Sequence, residues 1–288
     1  MIPAEFKYPI WSVAMRSLVL AVMVSGAVSA AHAADLPDLP ILRGGLTEGL
    51  STSRVNWEGF YVGAQGGYGW SNMNFKGSTS TVAAQMMSGL EMEQEQRISS
   101  WPIMGKVSVH GSGYGGFAGY NSQWDDVVLG VEASYMHGSF GGAQTDSMSR
   151  FFTLSSGYTD GVTYEGKAQI AISDMATIRG RAGYAMDCFL PYAFFGVALG
   201  QADIVRSAHI YGNQVNPAAA AGFQNVPFDV SATEGQYRHL IYGYSAGLGV
   251  DINLVGGLFA RAEYEYIRFT STVDTSINTA RVGLGYKF

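Results

Sequence analysis

The chain has 288 residues, with 38 glycines, 13% aromatic residues, only 14% charged residues and a net charge of −6. An average soluble domain has about 25% charged residues, so this composition favours strands that face an apolar environment. The single cysteine, Cys188, excludes an intrachain disulfide and a cysteine-based zinc site. The sequence has no cluster of Lys and Arg, which argues against nucleic-acid binding.

Residues 1–33 have the layout of a secretory signal peptide. Arg16 supplies positive charge, and an apolar run of small and aliphatic residues begins at Ser17. Because this run is too short to span a bilayer as a helix, we expect cleavage rather than anchoring. Ala31 and Ala33 form the A-x-A pattern that predicts cleavage after Ala33.

The start of translation has two candidates. A start at Met15 gives a better proportioned signal peptide than a start at Met1, and the sequence leaves both open. Further along, no stretch is apolar and long enough to be a transmembrane helix. An exported chain of this kind is either soluble or crosses a membrane as a closed barrel, because a barrel satisfies every backbone polar group in lipid.

Strict alternation of apolar and polar residues dominates the rest of the chain. The last segment is the clearest, with Ala280, Val282, Leu284, Tyr286 and Phe288 on one face and polar or glycine residues on the other. Period-2 patterns of this kind predict strands. The eight predicted strands lie near residues 60–70, 113–124, 127–135, 176–184, 190–204, 242–253, 258–266 and 277–288.

The connections between these strands fall into two classes. Short turns are predicted at 125–126, 186–190 and 255–257, and longer polar connectors at about 72–112, 138–168 and 205–238, with a short one at about 270–276. Short turns on one side and long loops on the other are typical of outer-membrane barrels. The pattern predicts an all-β, eight-stranded antiparallel transmembrane up-and-down β-barrel with long extracellular loops over residues 57–288, after a periplasmic tail at 34–56.

Charged side chains collect on the faces that would point away from lipid. A charge facing lipid at mid-membrane costs several kcal/mol, whereas an eight-stranded barrel is just wide enough for its interior to be filled by side chains. We therefore predict a lumen charge network, and the lining of a narrow water pore is the alternative interpretation. Its members are Glu132, Arg179, Arg181, Arg261, Glu263, Glu265 and Arg281.

The chain resembles the alphaproteobacterial outer membrane immunogenic, or porin-family, small barrels. The resemblance covers nearly the whole mature chain and depends on the order and spacing of several stretches. They are NWEGFYVGAQGGYGW from Asn56, GGFAGYNSQW from Gly115, VLGVEASY from Val128, ATIRGRAGYAMDCFLPYAFFGVALG from Ala176, the ending ARVGLGYKF, and the leader end AADLP.

The resemblance implies an eight-stranded, OmpA-type barrel with surface-exposed loops and a structural role in the envelope. It also implies that the C-terminal face is a signal read by the barrel-assembly machinery: Val282, Leu284, Tyr286 and Phe288. Outer-membrane lipid and lipopolysaccharide are the other expected partners, and the chain is expected to be a monomer. Some relatives are described as haem-binding or adhesive, but no haem-ligand motif matches here residue by residue.

Catalysis and cofactor binding find little support in the sequence. His137 and Ser139 share a face near Glu132, but nothing marks a base and its orienting group. Met86, Met87 and Met92 lie in the first loop without a nearby Cys or His, in a short helix or a flexible segment. We expect no cofactor, no metal and no enzymatic activity. The predicted role is structural and surface-interacting, with a passive small-solute channel, or haem or host-ligand binding by the loops, as alternatives.

Overall fold

The computed structural model describes residues 55–220, 222 and 224–288. The predicted signal peptide, with Ala31 and Ala33, and nearly all of the predicted tail at 34–56 lie outside the described residues. The described chain forms one closed antiparallel barrel in which each strand pairs with its neighbours in sequence and β1 pairs with β8. The strands are β1 Gly59–Asn74, β2 Lys106–Trp124, β3 Val127–Thr153, β4 Thr159–Tyr184, β5 Phe189–Val215, β6 Asn225–Val255, β7 Leu258–Thr270 and β8 Asp274–Lys287.

This architecture confirms the predicted eight-stranded up-and-down barrel. Short turns at 125–126, 185–188 and 256–257 close one end, close to where the sequence predicted them. None of the helices among residues 55–220, 222 and 224–288 is long and apolar enough to cross a membrane.

The predicted long connectors are corrected by the structure. Most of residues 138–168 and 205–238 belongs to strands, so that β3 and β4 meet at a turn of residues 154–158, and β5 and β6 meet at 216–224. The first connector is the one that remains a long loop, over residues 75–105 instead of 72–112.

The sequence missed these strand extensions because their outward side chains face water instead of lipid. On β4, the inward residues Ala168, Ile170 and Ile172 are buried, while the outward residues Lys167 and Gln169, which alternate with them, are exposed. The period-2 pattern is therefore present. The outward residues of this pattern have the polar composition of a loop, and for this reason the sequence did not predict the strand.

An apolar band surrounds the barrel between two belts of aromatic side chains. From Phe60 to Tyr68 on β1, the outward residues are apolar, a length that fits a tilted transmembrane strand of about 10 residues. Aromatic belts at both edges are typical of outer-membrane barrels. The belt near the short turns includes Phe60, Tyr120, Tyr184, Phe189 and Tyr286, and the outer belt includes Tyr68, Tyr114, Tyr135, Tyr244 and Tyr266.

A row of irregularities in strand pairing lies just beyond the outer belt. The register shifts between His137 and Phe140 on β3, between Ile172 and Asp174 on β4, and next to Ala202 on β5. Bulges bend strands and are common at barrel rims. Beyond this row, β3 to β6 continue as a four-stranded sheet, which we call the extension, while the pairing between β6 and β7 ends.

The long loop, residues 75–105, folds back over the inner side of the extension as a cap. It contains α1 (Ser80–Met86), α2 (Glu91–Gln96) and a short 3-10 helix (Ile98–Ser100). Its apolar side chains share one core with inward residues of β4 and β5. Burial of this apolar surface is what holds the cap in place.

Candidate functional site in the lumen

The seven charged residues predicted for the lumen all lie inside the barrel, on β3, β4, β7 and β8. Each is at most 5% exposed. The alternation of the strands places them there, because residues two apart share a face. Ion pairs connect them across the lumen instead of leaving them around a water column.

Glu132 is the centre of this cluster. Arg179 donates from Nε to Oε1 at 3.0 Å, and Arg261 donates from Nη1 to Oε2 at 2.7 Å. Arg181 adds a longer contact from Nη1 to Oε2 at 3.3 Å. Three guanidinium groups therefore neutralise and orient one buried carboxylate, which is the condition for a charge to be tolerated away from water.

The remaining glutamates extend the cluster across the lumen. Arg179 Nη2 donates to Glu263 Oε1 at 2.7 Å, so that one guanidinium links β3 to β7. Arg281 pairs with Glu265 on the neighbouring strand. All seven predicted members thus take part in one connected set of ion pairs.

Three further members were not predicted from the sequence. Asp251 accepts bonds from Arg261 Nε at 2.8 Å and Arg181 Nη2 at 2.7 Å. Tyr61 donates to Glu132 at 2.7 Å, and Tyr192 donates to Glu263 at 2.6 Å. Asp251 was detectable, because the hairpin between β6 and β7 places it opposite Arg261. With Asp251 included, four carboxylates balance the four arginines 179, 181, 261 and 281.

Aromatic rings pack beneath the guanidinium groups. Arg261 lies 3.9 Å from the ring centre of Phe117, and Arg181 lies 3.8 Å from that of Tyr192. The rings in turn lie on glycines of neighbouring strands. A Cβ at Gly63 would come within 2.3 Å of Phe117, and one at Gly249 within 2.5 Å of Tyr192. The lumen at this level is therefore filled by layers of glycine, ring and guanidinium.

The outer half of the interior is apolar and closed by the cap. Phe75, Met87 and Ile98 from the cap are fully buried in the same core as Ile170 and Ile210 from the extension. The methionines of the first loop belong here, since Met87 and Met92 are core members and Met86 packs against them. In the part of the chain that the structure describes, no three His, Cys, Asp or Glu residues form a group able to hold a metal.

Polar contacts attach the cap to the extension at several places. Arg206 on β5 donates to the backbone oxygen of Ser78 at 3.1 Å and to Glu234 on β6 at 2.7 Å. At the far end, Glu91 accepts a bond from the backbone N–H of Ser156 in the turn between β3 and β4, at 3.2 Å.

The C-terminal face predicted as an assembly signal lies on the outer surface. Val282, Leu284, Tyr286 and Phe288 are each at least half exposed. Phe288 donates its backbone N–H to Phe60 at 2.9 Å, which fastens the last residue to the first strand.

His137 has a carboxylate partner, but on the outer surface of the barrel. Its Nδ1 lies 2.9 Å from Asp174 Oδ1, and Asp174 also accepts from Ser173 Oγ at 2.7 Å. None of the hydrogen bonds of the described residues joins His137 to Ser139. His137 and Asp174 therefore lack a positioned nucleophile, and they form a hydrogen-bonded polar pair at the outer belt.

Comparison with known proteins finds similar chains in other bacteria. A protein of Brucella melitensis, the 31 kDa outer-membrane immunogenic protein, is 27% identical over 293 residues, covering 95% of this chain and all of the relative. The 25 kDa outer-membrane immunogenic protein of Brucella ovis is 25% identical, covering 82% of this chain and 80% of the relative. The crystal structure of Ail, the attachment invasion locus protein of Yersinia pestis, is 15% identical and covers 80% of this chain and 99% of its own, with a TM-score of 0.32.

The family model described as outer membrane protein beta-barrel domain matches residues 19–288. This range includes every strand of the barrel, both aromatic belts and all members of the lumen cluster. The chain therefore belongs to the outer-membrane β-barrel protein family, and its place is the outer membrane of a Gram-negative bacterium.

Proposed function

We propose that this barrel is a non-conducting structural protein of the envelope that carries a rigid sheet beyond the outer membrane for surface interactions. The observation that carries the proposal is the filling of the lumen by two different layers, one charged and one apolar. Each layer alone would obstruct a water path along the barrel axis.

The charged layer opposes conduction because its groups are already paired. Arg179, Arg181 and Arg261 each bind at least two partners, at exposures of 2 to 4%. A permeating ion would have to separate these pairs, and removing one partner from a buried pair costs about 3–5 kcal/mol.

The apolar layer adds a second obstacle. Between the cluster and the outside, the interior is lined by Met136, Phe140 and Ile267 and covered by the cap residues Phe75 and Ile98, all buried. Ions and polar solutes gain no hydrogen bonds there, so entry is costly.

The surface role is supported by the extension. Its outward face presents rows of hydroxyl and charged side chains, such as Thr163, Glu165 and Lys167 on β4. Binding residues commonly lie on segments supported by a rigid scaffold. We propose the barrel-assembly machinery as the partner for export, with the C-terminal face as its signal, and a monomer as the mature state, since a closed barrel leaves no membrane strand edge unpaired.

Single-channel recording of refolded mature protein, residues 34–288, in planar bilayers tests the proposal. Heat-dependent gel mobility first confirms folding, and a general porin serves as the positive control. We expect no stable conductance from the wild type. A variant with a short Gly-Ser linker in place of residues 76–104 is also expected to remain silent, because the charged layer persists.

Stable ohmic channels from the wild type would overturn the proposal in favour of a passive channel. In that case Glu132→Gln and Glu263→Gln should alter ion selectivity, because their carboxylates would line the path. Channels from the capless variant alone would contradict the sealing role of the charged layer and assign closure to the cap.

A further inference from the structure

The outer belt carries two charged spots of different character. On β3 and β4, Asp174 is bound by His137, Ser173 and Tyr135. On β7, Arg268 is exposed on the outward face, two residues beyond Tyr266 of the outer belt. None of the ion pairs or hydrogen bonds of the described residues includes Arg268.

This isolation distinguishes Arg268 from the arginines inside the barrel. Each of the lumen arginines has a carboxylate partner, as does Arg206 in the extension. An unpaired charge on the outward face is costly at the membrane midplane but costs about 0–1 kcal/mol near an interface. Arg268 therefore lies where an unpaired cation costs little and is free to bind a group outside the protein.

The neighbours of Arg268 are suited to an anion. Its cross-strand partners are Tyr244 on β6 and Ser276 on β8. Both side chains share its outward face, and Tyr244 packs against Tyr266 with ring centres 6.3 Å apart. Guanidinium and hydroxyl groups together offer several donors on one patch. Asp274 lies on the same face, two residues from Ser276, but no ion pair joins it to Arg268.

The position of the patch, next to the lipid-facing surface, favours the headgroup of a lipid over a free anion. Beneath it, the outward residues Tyr264, Leu248 and Val282 are exposed to the bilayer, at 46 to 67%. A lipid bound here places its acyl chains against this apolar surface and its headgroup at Arg268. A free phosphate ion would gain the polar contacts alone, at one exposed cation screened by salt.

We propose that Arg268, with the hydroxyls of Tyr244 and Ser276, binds a phosphate group of an outer-leaflet lipid. Arginine matches phosphate through two parallel N–H donors. The site requires the barrel to lie in the outer membrane but is independent of whether the lumen conducts. A failure of this proposal therefore leaves the sealed-barrel proposal untouched.

The test is a lipid titration of refolded mature protein in detergent micelles, read by native mass spectrometry. The probes are diphosphorylated lipid A, dephosphorylated lipid A and inorganic phosphate. We expect Arg268→Gln to weaken binding of the diphosphorylated lipid by about 10-fold, the usual effect of losing a hydrogen bond to a charged group. Arg268→Lys should lose less, and Asp274→Asn should bind more tightly than wild type.

The control is Arg150→Gln, since Arg150 lies in the extension over the ring of Trp101. It should bind lipid like the wild type. Equal affinity of Arg268→Gln and wild type for the diphosphorylated lipid would overturn the proposal. So would equal binding of both lipids by the wild type, or full competition by millimolar phosphate, which would indicate a simple anion site. Gel mobility confirms that each variant is folded, and conductance of Arg268→Gln should match the wild type.

Discussion

Arg181 on β4 and Asp251 on β6 bind one another across β5, with Nη2 and Oδ2 2.7 Å apart, although their strands share no backbone hydrogen bonds. Tyr192, on the strand between them, lies beneath the guanidinium. The contact ties together strands two apart in the barrel. It therefore contributes to the relative position of β4 and β6 in a way that the backbone ladder alone does not.

The cluster predicts a ranking of arginine substitutions. Arg261→Met removes a cation from both Glu132 and Asp251 and should cost about 3–5 kcal/mol of unfolding free energy. Arg181→Met should cost less, because Asp251 keeps two bonds from Arg261. Urea unfolding in lipid vesicles, followed by tryptophan fluorescence, measures both. Equal costs for the two variants would contradict the central place of Arg261, and Arg150→Gln should change little.

The packing of rings on glycines predicts a size limit in the lumen. Gly249→Ala should destabilise the barrel by about 1–3 kcal/mol, because the added Cβ meets the Tyr192 ring at 2.5 Å in a packed interior. Gly66→Ala is the matched control, since Gly66 faces outward and its nearest atom would be 3.9 Å away. The same unfolding assay distinguishes them. A control that loses as much stability as Gly249→Ala would point to strand propensity instead of ring packing.

The attachment of the cap predicts a protease-sensitive variant. Arg206→Gln removes the link from β5 to Ser78 and leaves Glu234 without its partner. The free energy of opening the cap should fall by about 1–3 kcal/mol, which is the cost of leaving a buried polar group unpaired. Trypsin cleavage at Lys76 or Arg97 on whole cells measures this opening. Lys167→Gln, on the outward face, is the control and should be cleaved at the wild-type rate. Cleavage of Arg206→Gln no faster than wild type would contradict the role of Arg206 in attaching the cap.

Asp160 predicts a pH dependence at the tip of the extension. Burial raises the pKa of this carboxyl above its ordinary value of 3.8, and its Oδ1 has no partner. The folded state therefore favours the protonated form, and stability falls as the pH rises through the range above 3.8. Asp160→Asn should gain about 1 kcal/mol at neutral pH and lose this dependence. Hydrogen exchange of the tip amides between pH 4 and pH 7 measures the effect. Identical profiles for variant and wild type would exclude it.

The contact of Phe288 with β1 predicts that its deletion impairs assembly. Deletion of Phe288 removes the terminal aromatic group and its bond to Phe60, and should lower the fraction of folded, heat-modifiable protein in outer membranes several-fold. Phe151→Ala is the control, because Phe151 is 86% exposed at the far end of β3. Normal assembly of the deletion variant in cells, with normal refolding in vitro, would remove Phe288 from the proposed signal.

The barrel itself could be predicted from the sequence because lipid imposes a visible pattern. Outward residues of the membrane band must be apolar, so alternation is strong from Val127 to Tyr135 and from Leu258 to Tyr266. The seven charges in the lumen were found by the same logic, since the face that avoids lipid is the face that holds them. Asp251 lies on that face too, but its role depends on its pairing with Arg261 across the hairpin.

The extension and the cap were hidden for a different physical reason. Beyond the outer belt, the solvent on the outward face changes from lipid to water, and Lys167 or His209 on that face look like loop residues. The inward residues Ile204, Ala208 and Ile210 still alternate with them. The partner that buries them, Ile98 and its neighbours in the cap, is distant in sequence. A local pattern cannot reveal such long-range packing.

The extension also determines what an antibody can recognise on this protein. From Ser173 to Thr159, β4 continues for about 50 Å along the strand at 3.4 Å per residue. Its exposed face displays every second residue of four adjacent strands, so the accessible epitopes combine side chains that are distant in sequence. Antibodies raised against the folded barrel should therefore lose binding when the protein is boiled. Linear peptides from residues 159–173 or 203–215 should compete poorly.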